Sequence, residues 1–413
     1  MVTVSRVSNG VGDSPALALT RRRTLAGLAG LTCVSGLAGA CTAGPSRNWT
    51  GAAKAGAGVQ AGPAGAARPD RPGVYASIGP GKMNPAWAGD PLRVYVPNSL
   101  DNTVTEIDPA SYRVIRTFPV GADPNHVTPS WDGSVLWVNN TAGSSLTPIN
   151  PRTGLAGSPV PVADPYNLYF TPDGQQALVI AESLGRIDFR DPHTMRLRSS
   201  LTVPAAGVNH LDYTADGDYA LASCEFSGSV VWISLPRRAV LGTLRLGTAL
   251  SAPVMPPGPG YSMPQDVRLS ADGAVFYVAD MAANGVWLIS SRQLTLEGFL
   301  RTGAGAHGLE VGRDGKHLYV SNRGEGSISV LDMTTRTVAA KWWIPGGGSP
   351  DMGGISPDGT VMWWGGRYNG VVYAMSTRNG RLLAKIAVGS GPHGVCVFPQ
   401  PGRYSLGHTG NFR

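Results

Sequence analysis

Charge is scarce in this chain. Asp, Glu, Lys and Arg make up 15% of its 413 residues, against 42% apolar ones. So much apolar material with so little charge excludes a solvated, disordered polymer. Lys and Arg exceed Asp and Glu by 34 to 27, yet no run of them forms the stripe a nucleic-acid groove requires. Four of the positives (Arg6, Arg21, Arg22, Arg23) and one negative (Asp13) fall in the first forty residues, so the formal +7 becomes +4 for the rest. Cysteine is limited to four residues, with no spacing that would hold zinc. No Ser-His-Asp spacing, Walker element or Gly-rich phosphate loop occurs. Near the N-terminus the sixteen uncharged residues Leu25 to Ala40 are mostly Gly, Ala and Leu, too short and too rich in Gly and Ala for a good membrane span. What is abundant is glycine: 56 residues, about twice the usual share of roughly 7%. That makes a helical bundle untenable and points to a turn-rich fold.

The N-terminal segment reads as an export signal over residues 1–40. Thr20-Arg21-Arg22-Arg23-Thr24-Leu25 ahead of an uncharged stretch resembles a twin-arginine signal; an Arg-rich secretory signal is the alternative. Leu37-Ala38-Gly39-Ala40-Cys41 resembles a lipobox in which Cys41 would be lipidated, although Leu37 stands one residue further from the Cys than that pattern asks. Ala38-Gly39-Ala40 also fits ordinary signal peptidase, which would release a soluble protein. Residues 41–72 hold nine Ala, six Gly and four Pro, a composition suited to a tether between a lipid anchor and a folded domain spanning 73–413. The expected location is therefore the outer face of the cytoplasmic membrane, with secretion as the alternative. Cys224 and Cys396 remain for the domain and are expected as buried free thiols.

Internal repetition dominates the remainder. Asp-Gly pairs begin at Asp132, Asp173, Asp216, Asp272, Asp314 and Asp358, with spacings of 41, 43, 56, 42 and 44, and Gly402 follows Gly359 by 43. Each pair stands between β-rich stretches such as Phe276-Tyr277-Val278-Ala279, which is hairpin chemistry with positive φ supplied at the turn. Later stretches such as Ser327 to Asp332 bring each unit to four strands. Units of this size stack radially as propeller blades. Arg93 to Asn98 and Thr103 to Pro109 match the later strands of a unit, and His393 to Phe398 match the first. The expected fold is all-β: a seven-bladed β-propeller whose N- and C-terminal strands share the closing blade. Residues 403–413 duplicate a strand already supplied by the N-terminus, and the sequence leaves open which copy pairs.

Tyr319-Val320-Ser321-Asn322, Tyr95-Val96-Pro97-Asn98 and Phe276 to Asp280 resemble the YVTN repeat of YncE-like seven-bladed propellers, and the resemblance covers residues 93–413. It implies the fold and leaves function open among binding scaffolds, surface proteins and envelope lipoproteins. Propeller relatives also include lactone hydrolases and a lyase, and single-stranded nucleic-acid binding has been suggested for YncE-like proteins. The low charge argues against nucleic acid here. The reading is a monomeric binding scaffold or receptor for a small molecule, peptide or envelope partner, touching membrane through its lipid alone. The alternative is an enzyme of lyase or lactonase type.

Hairpin connectivity places the start of each first strand beside the end of the second, at one mouth of the central channel. Candidate ligand-binding residues there are Asn125, Asn167, Asn209, Asp266, Asp280, Arg323, Asp351 and Arg367. Glu182 and Glu225, on neighbouring blades, are candidates for acid–base chemistry, or else for ion pairing around the ring. His126, His210, His307 and His393 supply imidazoles from four blades, a donor set suited to copper or zinc. His126 and His210 precede their turn Asp by six residues and His307 by seven, so simple alternation would send them to opposite faces unless a bulge intervenes. A hydrated polar channel is the alternative. The insertion from Thr248 to Ser262, with Pro253, Pro256, Pro257 and Pro259, is expected to overhang the same mouth as a lid, a docking element or an inert loop.

Overall fold

A computed structural model describes residues 73–249 and 260–413. The signal, Cys41, the tether and the four prolines of the insertion lie outside the described residues.

Seven four-stranded antiparallel sheets follow one another along the chain. Their innermost strands are Pro124–Pro129, Asn167–Phe170, Val208–Tyr213, Pro264–Leu269, Ala306–Val311, Pro350–Ile355 and Cys396–Phe398, numbered here as blades one to seven. The seventh blade is composite as expected: Cys396–Phe398 pairs with Arg93–Asn98, Tyr95 opposite Cys396 and Val94 opposite Val397. The N-terminal copy therefore fills the contested strand position. This closure pairs an edge that would otherwise be open.

Each Asp-Gly turn divides its two tasks. Glycine alone takes the left-handed backbone, with φ of 66° at Gly133 and 78° at Gly217. The aspartate instead accepts hydrogen bonds across the turn, as Asp132 does from the Ser130 hydroxyl (2.7 Å) and the Ser134 amide (3.1 Å). Inner strands are buried on both faces, whereas outer strands such as Thr337–Trp343 alternate between exposed and half-buried. Apolar side chains between neighbouring blades form the core. Trp363 and Val372 of blade six pack with Val94, Val96 and Ile107 of blade seven. Hydrophobic burial between blades is thus the main force holding the ring.

The chain ends close the side of the channel where the Asp-Gly turns lie. Trp87 is buried against Phe398 and Phe412, with its indole N–H donating to the Gln400 carbonyl at 2.9 Å. Residues 403–413 do not duplicate a blade strand. They fold on themselves, Ser405 opposite Phe412, and run beside the second blade's inner strand. There the Leu406 carbonyl accepts from the Phe170 amide (2.9 Å) and the His408 amide donates to the Leu168 carbonyl (2.8 Å). Gly407 is required at this approach: its φ is +94° and a Cβ would lie 2.5 Å from the Leu168 oxygen. Cys224 and Cys396 are buried and unbridged, as expected.

Candidate metal centre in the channel

The inner strands do not alternate simply. In blade three, Val208 pairs with Cys224 and Leu211 with Ala222, so three steps on one strand oppose two on its neighbour. The same irregularity falls between Pro124 and His126, Pro264 and Val267, Ala306 and Leu309, and Pro350 and Gly353. A bulge of this kind re-aims side chains, so in these five blades consecutive residues can both turn towards the channel. The register objection to a histidine cluster is thereby met, with a different outcome from one four-histidine ring. The six-before position gives an inner layer with His126, Asn167, His210 and Asp266. The seven-before position gives an outer layer, nearer the mouth, with Asn125, Tyr166, Asn209, His307 and Asp351, and His393 joins it from blade seven, which has no Asp-Gly turn to count from.

The four histidines accordingly divide between two clusters. His126 and His210 are joined by His408, which the repeat pattern had hidden in a surplus strand; His307 and His393 flank Asp351. Within each trio the potential ligand atoms all lie within 4.8 Å of one another, and every member is buried. Ring centroids are 5.7 Å apart for His126 and His210, 5.1 Å for His126 and His408, and 5.0 Å for His210 and His408. The two trios adjoin, with His126 and His393 rings 4.8 Å apart.

Among the described residues, Nε2 of His126, of His210 and of His408 has no hydrogen-bond partner, although all three side chains are fully buried. An orphaned buried polar atom costs on the order of 1–3 kcal/mol, so three at one place mark a site completed by something else. Burial, reinforced by the neighbouring imidazoles, drives the pKa of His126 and His210 well below the ordinary value, and His408 is also lowered by burial. The rings are neutral, the state in which imidazole ligates a metal. His126 Nδ1 lies 2.9 Å from the Tyr166 carbonyl, which fixes its proton there and leaves Nε2 with a lone pair. Asn167 sits between the other two, its amide nitrogen 3.0 Å from each Nδ1 and its oxygen 3.4 Å from His408 Nδ1. An ion at Nε2 would move those ring protons to Nδ1, where the Asn167 oxygen lies 3.4 Å from His408 and the Tyr169 hydroxyl 3.5 Å from His210. Three neutral imidazoles suit copper or zinc, and the donor set fits either.

In the outer trio His307 Nδ1 is 2.8 Å from Asp351 Oδ1, and His393 Nε2 is 3.7 Å from Asp351 Oδ2. Burial and the Asp351 charge compete at His393, and burial wins, pushing it down to about 3. Asp351 is held well below the ordinary carboxylate range in spite of burial, by the hydrogen bond from His307 and the Arg323 guanidinium beside it. Arg323 reaches Asp351 Oδ1 at 3.2 Å, while Arg367 donates to the Ser99 hydroxyl and the Gly391 carbonyl with its Nε 3.9 Å from Asp351 Oδ2. Both guanidinium groups thus converge on Asp351.

The remaining candidates divide by position. Asn125 donates to Thr141 Oγ1 (2.8 Å), and Asn209 to Glu225 Oε2 (3.2 Å), at the mouth. Burial raises the Glu225 pKa. Glu225 and Glu182 meet at a residue the sequence reading passed over: after burial, their charges are the largest causes holding the proton on Tyr166. The Tyr166 ring stands against the imidazoles of His126 (5.5 Å) and His210 (5.9 Å). Asp266 is tied to Arg268 (2.6 Å) and lies 3.7 Å from His408 Nε2, inside the channel. Asp280 joins neither trio; it accepts from Ser262, the Met263 and Ala282 amides and the Trp287 indole, and so anchors the foot of the insertion. Towards the closed end, Arg413 pairs with Asp212 (2.7 Å), and burial pushes Glu310 up to about 8.

Comparison with known proteins bears on the fold. The chain has TM-scores of 0.57, 0.59 and 0.55 to three solved structures, at 19%, 13% and 14% identity. The first is Kuenenia stuttgartiensis hydrazine synthase, with 73% of this chain and 96% of that one covered. The second is a functionally unknown protein from Desulfotomaculum acetoxidans (74% and 98%), and the third the dihydro-heme d1 dehydrogenase NirN in complex with DHE (79% and 82%). No curated protein matches the chain. The family model for YNCE-like β-propellers matches residues 77–223 and 256–403, most of the chain and all seven blades in part, and the protein is a member of that family.

Proposed function

We propose that this protein is a metal-binding propeller that holds one copper or zinc ion on His126, His210 and His408 and receives a small ligand through the mouth above it. The observation that carries this reading is the convergence of three buried imidazole nitrogens within 4.8 Å of one another, two without any polar partner and the third, His408 Nε2, facing only Asp266 at 3.7 Å. The closed end, filled by residues 403–413, leaves the mouth as the approach. Tyr166, Glu225 and Arg323 stand there as polar groups for a ligand, which joins the scaffold reading to the metal. The chain would work outside the cytoplasmic membrane, anchored through Cys41; a Cys41→Ala variant is expected to move from the membrane fraction to the soluble one.

The test is calorimetric titration of the chelator-stripped full chain with zinc and with copper, alongside His210→Ala and His408→Ala. Saturable binding by the native chain that falls at least tenfold in both variants supports the proposal. Equal binding in all three would place the metal elsewhere, and no binding at all would return the channel to a hydrated, metal-free funnel.

A further inference from the structure

We propose that His307, Asp351 and His393 form a second metal subsite, so that the channel carries two ions in adjoining layers. This deepens the metal reading above and rests on it. Asp351 Oδ2 is buried with no hydrogen-bond partner among the described residues, and His307 Nδ1 lies 2.8 Å from the other oxygen of the same carboxylate. Both are side-chain atoms of residues at most 3% exposed. His393 is oriented from behind, its Nδ1 lying 3.0 Å from the Asn125 carbonyl, which leaves Nε2 facing Asp351 at 3.7 Å. That Nε2–Oδ2 separation is too long for a hydrogen bond. It is the spacing of two ligands that share an ion, since metal–nitrogen and metal–oxygen bonds of about 2 Å put cis ligands roughly 3 Å apart and wider angles further. Two imidazoles and one carboxylate make a borderline donor set that takes zinc and other divalent first-row ions.

The charges around the subsite set its rank. Arg323 is bonded to Asp351 Oδ1 and Arg367 stands 3.9 Å from Oδ2, so a divalent ion there faces two guanidinium groups across one carboxylate. The three-histidine site faces one such cation against two: Arg268, across Asp266, whose Oδ2 lies 3.7 Å from His408 Nε2. It therefore loads first, and the outer subsite fills second with weaker affinity. Asp351 is the pivot of this order, because it alone brings negative charge into the outer trio. Replacing Arg367 by a neutral residue removes one repulsive charge without touching a ligand.

The experiment is a zinc titration of the stripped full chain, read by calorimetry and by metal analysis after desalting. The native chain is expected to take two equivalents in two steps, the second at least tenfold weaker. Asp351→Asn should lose the second step and keep the first. Arg367→Gln should tighten the second step alone. Should Asp351→Asn fail to fold by circular dichroism, His307→Ala, which leaves the Asp351–Arg323 pair in place, reads the same step. A single equivalent that is lost in His408→Ala but unchanged in Asp351→Asn or His307→Ala would overturn the second subsite and leave the first standing. No zinc bound by the native chain would remove both.

Discussion

Gly394→Ala tests the inner trio through space rather than through a ligand. Gly394 lies on the path into the seventh blade's inner strand, and its amide donates to the Asn125 carbonyl at 2.8 Å. A Cβ built there would lie 2.3 Å from His126 Cδ2 and 3.0 Å from the Asn125 oxygen. Ordinary contact begins near 3.4 Å, so the imidazole must retreat by about 1 Å. Such overpacking costs roughly 1–3 kcal/mol in the metal-free protein. The same displacement exceeds the roughly 0.5 Å within which a ligand set must be held. For the native protein, an ion at one hundred times its Kd adds about 2.7 kcal/mol. With roughly 330 described residues and an unfolding entropy of about 2.1 cal/mol/K per residue, that corresponds to a rise in Tm of about 4 °C. The assay is thermal unfolding followed by circular dichroism, with and without zinc. Gly394→Ala should melt a few degrees lower without metal and show no metal-dependent rise. A variant that melts lower yet gains the full rise would refute the packing of His126 against Gly394 as a determinant of the site.

Asn167→Ala, which removes the amide between His210 and His408, should weaken zinc binding by about ten- to a hundredfold with the fold intact by circular dichroism. Glu310 ionises near its ordinary value of 4.5 when unfolded but keeps its proton up to about 8 when folded. The folded state therefore binds the extra proton, and this group's contribution to stability is lost as pH rises between those values, by at most about 1.4 kcal/mol per pH unit. Urea midpoints of Glu310→Gln should fall less steeply over that window than those of the native protein; parallel curves would contradict this. Trp363→Ala, at the junction of blades six and seven, should cost about 3–5 kcal/mol in the same assay. Burial pushes the Cys224 thiol up to about 12 and Cys396 higher still, so neither should react with a thiol reagent until the protein unfolds.

The ring of blades is written in the sequence because each Asp-Gly turn is a local event with its own chemistry, repeated at a nearly fixed interval. Closure is legible for the same reason, since Arg93 to Asn98 and Cys396 to Phe398 carry the complementary parts of one unit. The candidate centre is legible only in half. Which blades offer histidine follows from the repeat alignment, but whether those histidines meet depends on bulges that no turn residue announces. His408 gave no sign, because residues 403–413 belong to no repeat and their position is set by long-range contacts with Leu168 and Phe170. Tyr166 occupies the same position in its blade as His307 and Asp351 in theirs, but an aromatic side chain carries no sign of a polar role there. Trp87 and the segment around it, which help close the channel, likewise lack a periodic signature.

The central claim is that the inner trio holds a metal ion, and the most direct measurement is anomalous diffraction from crystals of the full chain loaded with zinc or copper, recorded on both sides of the metal edge. The expected result is a peak about 2.0–2.1 Å from Nε2 of His126, His210 and His408. Loaded crystals with no peak inside the channel, or with one at surface residues alone, would contradict it.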